Sequence, residues 1–453
     1  MDKIYDIAII GAGSGGYAAC IRGGEAGLKC CVIEKSHLGG TCLNCGCIPT
    51  KTLVRSADLL RQLRQSDMFA LKAELRGFDY AALFDRKESI IQKLRAGAES
   101  LIRSKGVDII KAEAVFAGRD RLRCNDKIIS SKNIIIACGS IPSELPHLKF
   151  DHQFILSSSD MLSQTALPRS MVIVGGGFIG CEFASIYNQF GVDITIIELA
   201  GQLMPGSDRE TSKRLELNFQ KQGIKVLKND SVISASAGSV SSIGLASGKQ
   251  IICDKVLLCV GRKPDVEGLG LPEAGVRVSN GFVGVDKTLR TNIPNIYAIG
   301  DAIAGYQLAH VASYEGALAV ENIALGAVRE VNYSAVPSAI FTHPEIAFVG
   351  ISADRAKEQG IDFKEAKLPL SAVSRTHIQG EPDGFVKLLF EARSGKILGA
   401  AVFGYLASEI ISGFTIAVNN GLTVNDLSKT IFAHPTFSES VLEASNRARA
   451  YNV

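Results

Sequence analysis

The chain has 453 residues, of which 46% are hydrophobic and 21% are charged, and it includes eleven cysteines. A chain of this length is too long for a single hydrophobic core, so we expect about three domains. Its 49 basic and 46 acidic residues leave a net charge of +3, which excludes a strong preference for nucleic acid or another polyanion.

The start of the sequence predicts no secretory signal, because no basic segment with a long apolar core precedes the first predicted strand. No run of about 18 apolar residues, the length needed to cross a membrane, occurs in the sequence. An odd number of cysteines fits a reducing compartment, in which a disulfide is more often catalytic than structural. The sequence therefore predicts a cytoplasmic protein with no membrane partner.

The first predicted element is a buried strand, Ile7–Ile10, that runs into the glycine loop of residues 11–16, Gly-Ala-Gly-Ser-Gly-Gly. A helix-compatible stretch follows over residues 17–26, and then a second strand, Cys30–Glu34. This order of strand, GxGxxG loop, helix, strand and acid is the fingerprint of a dinucleotide-binding unit.

Four residues carry the chemistry of that fingerprint. Gly11 permits the tight turn, Gly13 lets the backbone approach a pyrophosphate, and Gly16 lets the helix pack closely on the strand. The first N–H groups of the helix then face the phosphates. Glu34 ends the second strand, where a carboxylate accepts hydrogen bonds from a ribose 2′-hydroxyl.

A pair of cysteines, Cys42 and Cys47, comes next, in the stretch Gly-Gly-Thr-Cys-Leu-Asn-Cys-Gly-Cys-Ile-Pro-Thr-Lys of residues 39–51. In a regular helix, residues i and i+5 are about 7.5 Å apart along the axis and roughly 140° apart around it. A disulfide allows at most about 6.8 Å between Cα atoms, so an undistorted helix cannot join the pair. Three glycines and Pro49 can supply the distorted turn that a bridge would need.

Two other interpretations of these cysteines are core packing and metal binding. Free cysteine is among the most buried residue types, but a structural zinc site usually needs a CxxC pair and a second pair of ligands. The spacing, the glycines and the nearby Lys51 favour a redox-active pair without a metal, since a lysine can help to hold a thiolate. Cys45, the third thiol of the stretch, is predicted to be a buried apolar residue.

The unit is then repeated. The strand Met171–Val174 leads into Gly-Gly-Gly-Phe-Ile-Gly at residues 175–180, a helix, and the strand Ile194–Glu198. In both copies the acid comes 23 positions after the first glycine, and this match predicts two dinucleotide sites. The residues predicted for the second site are Gly175, Gly177, Gly180 and Glu198.

The acid of the second copy indicates its ligand. A carboxylate at this position repels the 2′-phosphate of NADP, which is usually met by an arginine. The first arginine after Glu198 is Arg209, eleven residues later, so the sequence favours NAD.

Each copy closes with a buried strand that ends in a glycine turn, at Gly139 in the first copy and at Gly261 in the second. The first copy is longer, because it holds the cysteine pair and a helical stretch over residues 80–105. The cysteine pair therefore belongs to the first unit.

Together with Thr-Asn-Ile-Pro-Asn-Ile-Tyr-Ala-Ile-Gly-Asp at residues 291–301, these motifs resemble the FAD-dependent pyridine nucleotide–disulfide oxidoreductases. The resemblance covers residues 6–444 and is strongest to members that oxidise dihydrolipoamide. It implies FAD on the first unit, NAD on the second, and a C-terminal domain that forms a homodimer.

The resemblance also implies roles for single residues. Asp301 would accept hydrogen bonds from the ribityl chain of FAD. Lys51, paired with Glu182, would stabilise negative charge on the reduced flavin. His434 would be the base that reaches the disulfide of the partner subunit, with Glu439 orienting its imidazole.

A base is needed because a thiol with a pKa near 8.5 is mostly protonated at neutral pH, and histidine titrates in the right range. His310 and His343 are the alternatives to His434. By resemblance, Cys42 is the sulfur that exchanges with substrate and Cys47 the one nearer the flavin.

The predicted fold class is α/β, with two Rossmann-like dinucleotide-binding domains and a C-terminal α+β dimerisation domain. The predicted boundaries are 1–144 for the FAD-binding domain, 145–270 for the NAD-binding domain, 271–333 for a central segment that completes the FAD site, and 334–453 for the dimerisation domain.

The implied function is oxidation of dihydrolipoamide on a lipoyl-carrying acyltransferase, with reduction of NAD+, in a 2-oxo acid dehydrogenase or glycine-cleavage complex. One alternative is an NAD(P)H-dependent reductase of glutathione-type disulfides, against which Glu198 argues. The other is a flavoprotein that acts mainly as a complex-binding or redox-sensing module. The set of Cys42, Cys47, Lys51 and His434 argues against that purely structural role.

Overall fold

The computed structural model of the protein describes residues 3–326 and 328–451. The strands of the first unit are β1 (Ile4–Ile10), β2 (Cys30–Glu34), β3 (Asp108–Lys111), β4 (Ala114–Phe116), β5 (Arg121–Cys124), β6 (Lys127–Ile136) and β7 (Ser140–Pro142). Its helices are α1 (Ser14–Glu25), α2 (Gly40–Cys45), α3 (Cys47–Arg64) and α4 (Tyr80–Ser104).

The sheet of this unit has the order β3-β2-β1-β6-β5-β4. Strands β1, β2, β3 and β6 are parallel, whereas β4 and β5 form an antiparallel extension. The last four residues of β1 are all buried, as expected for a parallel strand with both faces covered.

The second unit has the strands β8 (Ile155–Leu156), β9 (Ser170–Val174), β10 (Asp193–Glu198), β11 (Lys225–Lys228), β12 (Val232–Ser236), β13 (Ser242–Leu245), β14 (Gln250–Ile252), β15 (Lys255–Leu258) and β16 (Arg262–Pro264). Its helices are α5 (Ser158–Leu162), α6 (Phe178–Gln189) and α7 (Arg209–Lys221). A parallel sheet in the order β11-β10-β9-β15-β8 forms its centre, and β12 to β14 form a separate antiparallel sheet.

The next segment returns to the first sheet. It contains α8 (Leu271–Ala274), β17 (Val278–Ser279), β18 (Phe282–Val283), β19 (Ile296–Ala298) and α9 (Ala309–Leu325). Strand β19 pairs in parallel with β6, so the residues after β19 lie at the same sheet edge as the first glycine loop. Helix α9 packs along α1, where a Cβ on Gly316 would come within 2.3 Å of the carbonyl oxygen of Gly15.

The C-terminal part has the strands β20 (Ser338–Ile340), β21 (Glu345–Gly350), β22 (Phe363–Pro369), β23 (Phe385–Glu391) and β24 (Ile397–Gly404). Its helices are α10 (Ala353–Glu358), α11 (Ser374–Gln379), α12 (Ala407–Asn419), α13 (Val424–Ser428) and α14 (Glu439–Ala450). The strands form an antiparallel sheet in the order β20-β21-β24-β23-β22, and α12 and α14 pack on it. This is an α+β arrangement.

The predicted fold class is confirmed: two parallel α/β units are followed by an α+β domain. The first helix begins at Ser14 rather than at residue 17, because Gly13 already acts as its N-cap. Within the described ranges, no helix combines the length and the apolar character that a membrane crossing requires.

Candidate active site

The glycine loops of the two units are built in the same way. A Cβ at Gly11 would lie 2.4 Å from the carbonyl oxygen of Ala137, and one at Gly16 would lie 1.9 Å from that of Gly11. At Gly13 the nearest described atom would be 3.9 Å away, so this backbone is open to a ligand. The second loop repeats the pattern, with 2.3 Å at Gly175, 2.0 Å at Gly180 and no described atom within 4 Å at Gly177. Both loops therefore have the open backbone that a pyrophosphate requires.

Glu34 and Glu198 each tie the glycine loop of their own unit. Both oxygens of each carboxylate accept a backbone N–H group, one from the loop and one from just after the strand. The donors are Ala12 and Ser36 for Glu34, both at 2.8 Å, and Gly176 and Ala200 for Glu198, both at 2.7 Å. Because a carboxylate oxygen can accept more than one hydrogen bond, Glu34 and Glu198 can each still accept one from a ribose hydroxyl.

The glycine turns at Gly139 and Gly261 lead into β7 and β16, which pair with each other. Across that pair, Arg262 donates from Nε to the Ser140 hydroxyl at 2.7 Å and from Nη2 to the Ser140 carbonyl at 2.6 Å. The same hydroxyl donates to Asp301, in the turn after β19. Because β19 lies beside β6, Asp301 is at the carboxyl edge of the first sheet, a position that suits the ribityl chain of FAD.

The two cysteines lie on successive helices. Cys42 is within α2, the chain breaks at Gly46 with φ −141° and ψ −108°, and Cys47 is the first residue of α3. The predicted distorted turn is confirmed, and it brings the two thiols close enough to shift each other's pKa in opposite directions. The prediction that Cys45 is buried is wrong: it is partly exposed, because it ends a six-residue helix that has no buried residue.

The thiol pair has a marked electrostatic asymmetry. Hydrogen bonds from the Cys47 thiol, the Ser14 hydroxyl and the Cys47 N–H lower the pKa of Cys42 to about 7, although burial opposes this shift. The Lys51 ammonium adds to the lowering of that pKa. For Cys47, the hydrogen bond to Cys42 and burial raise the pKa. Both shifts favour a thiolate on Cys42 over a thiolate on Cys47.

Lys51 and Glu182 form an ion pair between the first two units. The Lys51 ammonium donates to both carboxylate oxygens of Glu182, at 2.9 and 2.8 Å. One of these oxygens also accepts the N–H of Phe341, and the ammonium lies 4.3 Å from the centroid of the Phe341 ring. The pair predicted from the resemblance is thus present, and the C-terminal part contributes a third contact that the sequence did not indicate.

Asn44 was not singled out from the sequence, yet its side chain links the cysteine turn to α4. Its amide nitrogen donates to the carbonyls of Leu38 and Gly40, at 2.9 and 2.8 Å. Its oxygen accepts from Nε and Nη2 of Arg95, at 3.0 and 2.7 Å. The position of Asn44 between the cysteines was a signal for it, whereas nothing in the sequence pointed to Arg95 on α4.

Glu439 is the first residue of α14, and His434 lies in the segment just before that helix. Nδ1 of His434 is 2.8 Å from Oε1 of Glu439, whose other oxygen accepts the N–H of Thr436 at 2.9 Å. The imidazole is 71% exposed, and no hydrogen bond or ion pair among the described residues joins it to Cys42 or Cys47. A base in this position is available to a group outside its own chain.

The two alternative histidines are less suited to serve as the base. Burial and the nearby Arg61 cation lower the pKa of His343 to about 3. Such an imidazole is a weak base at neutral pH. In His310, Nε2 lies 2.8 Å from the carbonyl oxygen of Pro337. That contact engages the ring nitrogen with the backbone of the chain itself.

Comparison with known protein families identifies the class. The model of the pyridine nucleotide-disulphide oxidoreductases matches residues 5–316, and the model of the dimerisation domain of the same family matches residues 336–445. The chain belongs to the pyridine nucleotide-disulphide oxidoreductase family. The predicted class and its use of FAD and NAD are thereby confirmed.

Relatives similar to this chain over nearly its whole length include dihydrolipoyl dehydrogenases. The chain is 39% identical to a dihydrolipoyl dehydrogenase of Chlamydia trachomatis, over 98% of this chain and 97% of the relative. It is also 39% identical to one from Geobacillus stearothermophilus, over 97% and 95% of the two chains. Among solved structures, LpdA from Mycobacterium tuberculosis has a TM-score of 0.91 at 28% identity, with 97% of this chain and 99% of that chain covered. The HOCl-induced flavoprotein disulfide reductase RclA from Escherichia coli has a TM-score of 0.88 at 28% identity, covering 98% and 99%.

The close approach at Gly16 gives a testable prediction. We expect Gly16→Ala to reduce bound FAD to below about a tenth and to destabilise the protein by about 1–3 kcal/mol. The added Cβ would lie 1.9 Å from the carbonyl oxygen of Gly11, and that backbone oxygen can move away only if the glycine loop is distorted. Flavin absorbance per chain and thermal unfolding measure the two effects. Gly97→Ala is the control, since its Cβ on α4 would meet no described atom within 4 Å and should stabilise by up to about 1 kcal/mol. A Gly16→Ala protein with full flavin and an unchanged melting temperature would contradict the assignment.

Proposed function

We propose that the protein oxidises protein-bound dihydrolipoamide to lipoamide and reduces NAD+ to NADH. The observation that carries the proposal is the Cys42–Cys47 pair. Its thiols lie on the two sides of a helix break, where the neighbouring Cys47 thiol and the Ser14 hydroxyl of the first glycine loop both lower the pKa of Cys42. A pair of this kind can exchange with a dithiol substrate on one side and pass electrons to a bound dinucleotide on the other.

The exchange reaction starts from the Cys42–Cys47 disulfide. His434 takes a proton from one substrate thiol, and the resulting thiolate attacks the sulfur of Cys42, which expels Cys47 as a thiolate. The second substrate thiol then attacks the substrate sulfur of the mixed disulfide and releases Cys42. One disulfide is lost and one is formed, so two electrons pass from the substrate to the cysteine pair.

The lowered pKa of Cys42 makes it a good leaving group in the second step, because a thiol of lower pKa leaves faster. Glu439 holds Nδ1 of His434, which leaves Nε2 free to take the proton. Lys51 stabilises negative charge between the cysteines and the cofactor. When bound, FAD supplies the two-electron step between the cysteine pair and NAD+.

Most of the residues that we assign to cofactor binding lie at the carboxyl edge of a parallel sheet, and the Lys51–Glu182 ion pair joins two helices. For FAD they are Gly11, Gly13, Gly16, Glu34, Gly139, Asp301 and the Lys51–Glu182 pair. For NAD they are Gly175, Gly177, Gly180, Glu198 and Gly261.

The proposal includes a homodimer, in which His434 serves the cysteine pair of the second subunit, and a lipoyl-carrying acyltransferase as the partner. The dimerisation-domain match and the exposed imidazole support it. We also propose divisions at residues 144, 270 and 333, and the change of sheet along the chain is the observation that supports them. A cytoplasmic location, supported by the odd number of cysteines, is also part of the proposal.

Steady-state turnover tests this function. We expect oxidation of dihydrolipoamide with NAD+, and reduction of the bound flavin by NADH followed by its reoxidation with lipoamide. Glutathione disulfide with NADPH should support much slower turnover, because Glu198 opposes a 2′-phosphate. Faster turnover with glutathione disulfide, or flavin that NADH cannot reduce, would refute the proposal.

The pH dependence of Cys42 is a second expectation. Alkylation of the reduced pair by iodoacetamide should rise with a midpoint at about pH 7 and level off by about pH 8.5, because the thiolate exists above the lowered pKa of Cys42. Lys51→Met should move the midpoint upward, since it removes a positive charge that favours the thiolate. Peptide mapping of the modified residue is the control. A wild-type midpoint near the ordinary thiol pKa of about 8.5 would contradict the charge distribution described above.

A further inference from the structure

A buried lysine joins the C-terminal sheet to the second unit. Lys387 lies on β23, and its side chain is only 11% exposed. Its ammonium is 2.7 Å from a carboxylate oxygen of Asp208, 3.2 Å from one of Glu210, and 3.9 Å from one of Glu365. Lys367, which is 44% exposed, also pairs with Glu210.

Asp208 uses its two oxygens for different purposes. Oδ1 accepts the N–H and the hydroxyl of Thr211, at 2.9 and 2.8 Å, and thereby caps the N-terminus of α7. Oδ2 accepts the ammonium of Lys387. A lysine near a helix N-terminus is unfavourable by itself, so the amine is held there by the carboxylates that surround it.

The first turn of α7 in turn holds the loop that follows Glu198. The hydroxyl of Ser212 donates to the carbonyl of Leu203 at 2.7 Å, and the N–H of Met204 donates to the carbonyl of Gly176 at 2.7 Å. The side chain of Leu203 lies so close to Gly176 that a Cβ there would be 2.6 Å from it. The contacts are therefore continuous from Lys387 to the second glycine loop.

We propose that Lys387 is a positioning residue for NAD: it fixes α7, and through α7 the loop that rests on the second glycine loop. The inference rests on the proposed function, because it takes the second glycine loop to bind NAD. Without the amine, three carboxylates would face one another, with the exposed Lys367 as the one remaining ion-pair partner among the described residues. Their repulsion would displace the start of α7.

The test compares Lys387→Met with the wild-type holoenzyme. We expect the KM for NAD+ to rise about tenfold while kcat changes by less than about twofold. Reduction of the bound flavin by dihydrolipoamide without NAD+ should be unchanged, because the carboxylates that Lys387 contacts belong to neither the cysteine pair nor the residues assigned to FAD. Calorimetric titration with ADP-ribose, which cannot react, should show a similar rise in its dissociation constant.

Three further variants separate positioning from a general loss of stability. Lys387→Arg keeps the charge and should recover most of the affinity for ADP-ribose. Lys367→Met, the matched control in the same group, should leave that affinity within about twofold, because Lys387 still neutralises the carboxylates. The double variant Asp208→Asn with Lys387→Met should bind ADP-ribose more tightly than Lys387→Met, because asparagine still caps the helix without the charge.

A Lys387→Met protein that melts at a lower temperature but binds ADP-ribose with the wild-type dissociation constant would overturn the inference. So would equal losses in Lys387→Met and Lys367→Met. The titration needs no dithiol substrate, so a wild-type protein that binds ADP-ribose but does not oxidise dihydrolipoamide would count against the proposed function and not against the role of Lys387.

Discussion

Replacement of Cys42 or Cys47 by serine is expected to lower the rate of dihydrolipoamide oxidation by at least about a thousandfold. A serine cannot form the disulfide that receives the electrons, and loss of a nucleophile commonly costs this much or more. The measurement is kcat with dihydrolipoamide and NAD+. Oxidation of NADH by an artificial one-electron acceptor should persist, since it bypasses the cysteines and reports an intact flavin site.

Cys45→Ala is the matched control for that experiment. Cys45 lies between the two cysteines, but it is no part of the thiol pair whose hydrogen bond lowers the pKa of Cys42. We expect the variant to keep most of its activity. A loss comparable with that of Cys47→Ser would show that the third thiol takes part in the exchange, and the assignment of the redox pair would fail.

His434→Gln should reduce dihydrolipoamide oxidation by about a hundred- to ten-thousandfold near neutral pH, the usual contribution of a general base. Glu439→Gln should cost less, because it keeps a hydrogen-bond acceptor for Nδ1 of His434 and removes only the charge. Stopped-flow reduction of the flavin by dihydrolipoamide isolates the affected step. His310→Gln is the control, and it should remain within about twofold of the wild type.

A hybrid dimer tests which subunit supplies the base. In a dimer of one Cys42→Ser chain and one His434→Gln chain, a base acting across the interface leaves one complete site, made of unaltered Cys42 and unaltered His434. We therefore expect about half of the wild-type activity per dimer, although each parent homodimer is nearly inactive. An inactive hybrid would mean that His434 serves its own chain, since both sites would then be incomplete.

The local features of the site could be read directly from the residues. The GxGxxG loops and their acids were predictable because a tight turn, a close backbone approach and a ribose contact each need one residue type at one position. The break between Cys42 and Cys47 was predictable because helical geometry forbids the bridge and Gly46 permits the break. The burial of Cys45 was predicted wrongly, because exposure depends on what packs over a short helix, which residue type alone does not report.

Contacts between residues that are distant in the sequence could not be predicted from local patterns. The pairing of Lys51 with Glu182 and of His434 with Glu439 came from the family resemblance and from no pattern in the spacing. Arg95 binds Asn44 from 51 positions away, and Lys387 binds Asp208 from 179 positions away. Neither contact was predicted from the sequence.

By itself, the sequence determined two dinucleotide-binding units, a thiol pair on the first of them, and a preference for NAD at the second. Each depends on residues close together along the chain, whose backbone geometry is set by local sterics. Only the tertiary structure decided how these parts meet. The return of β19 to the first sheet brings Asp301 to Ser140, and the C-terminal sheet brings Lys387 to α7. Such contacts arise from the packing of whole layers, and the order of residues within one layer does not encode where another layer will lie.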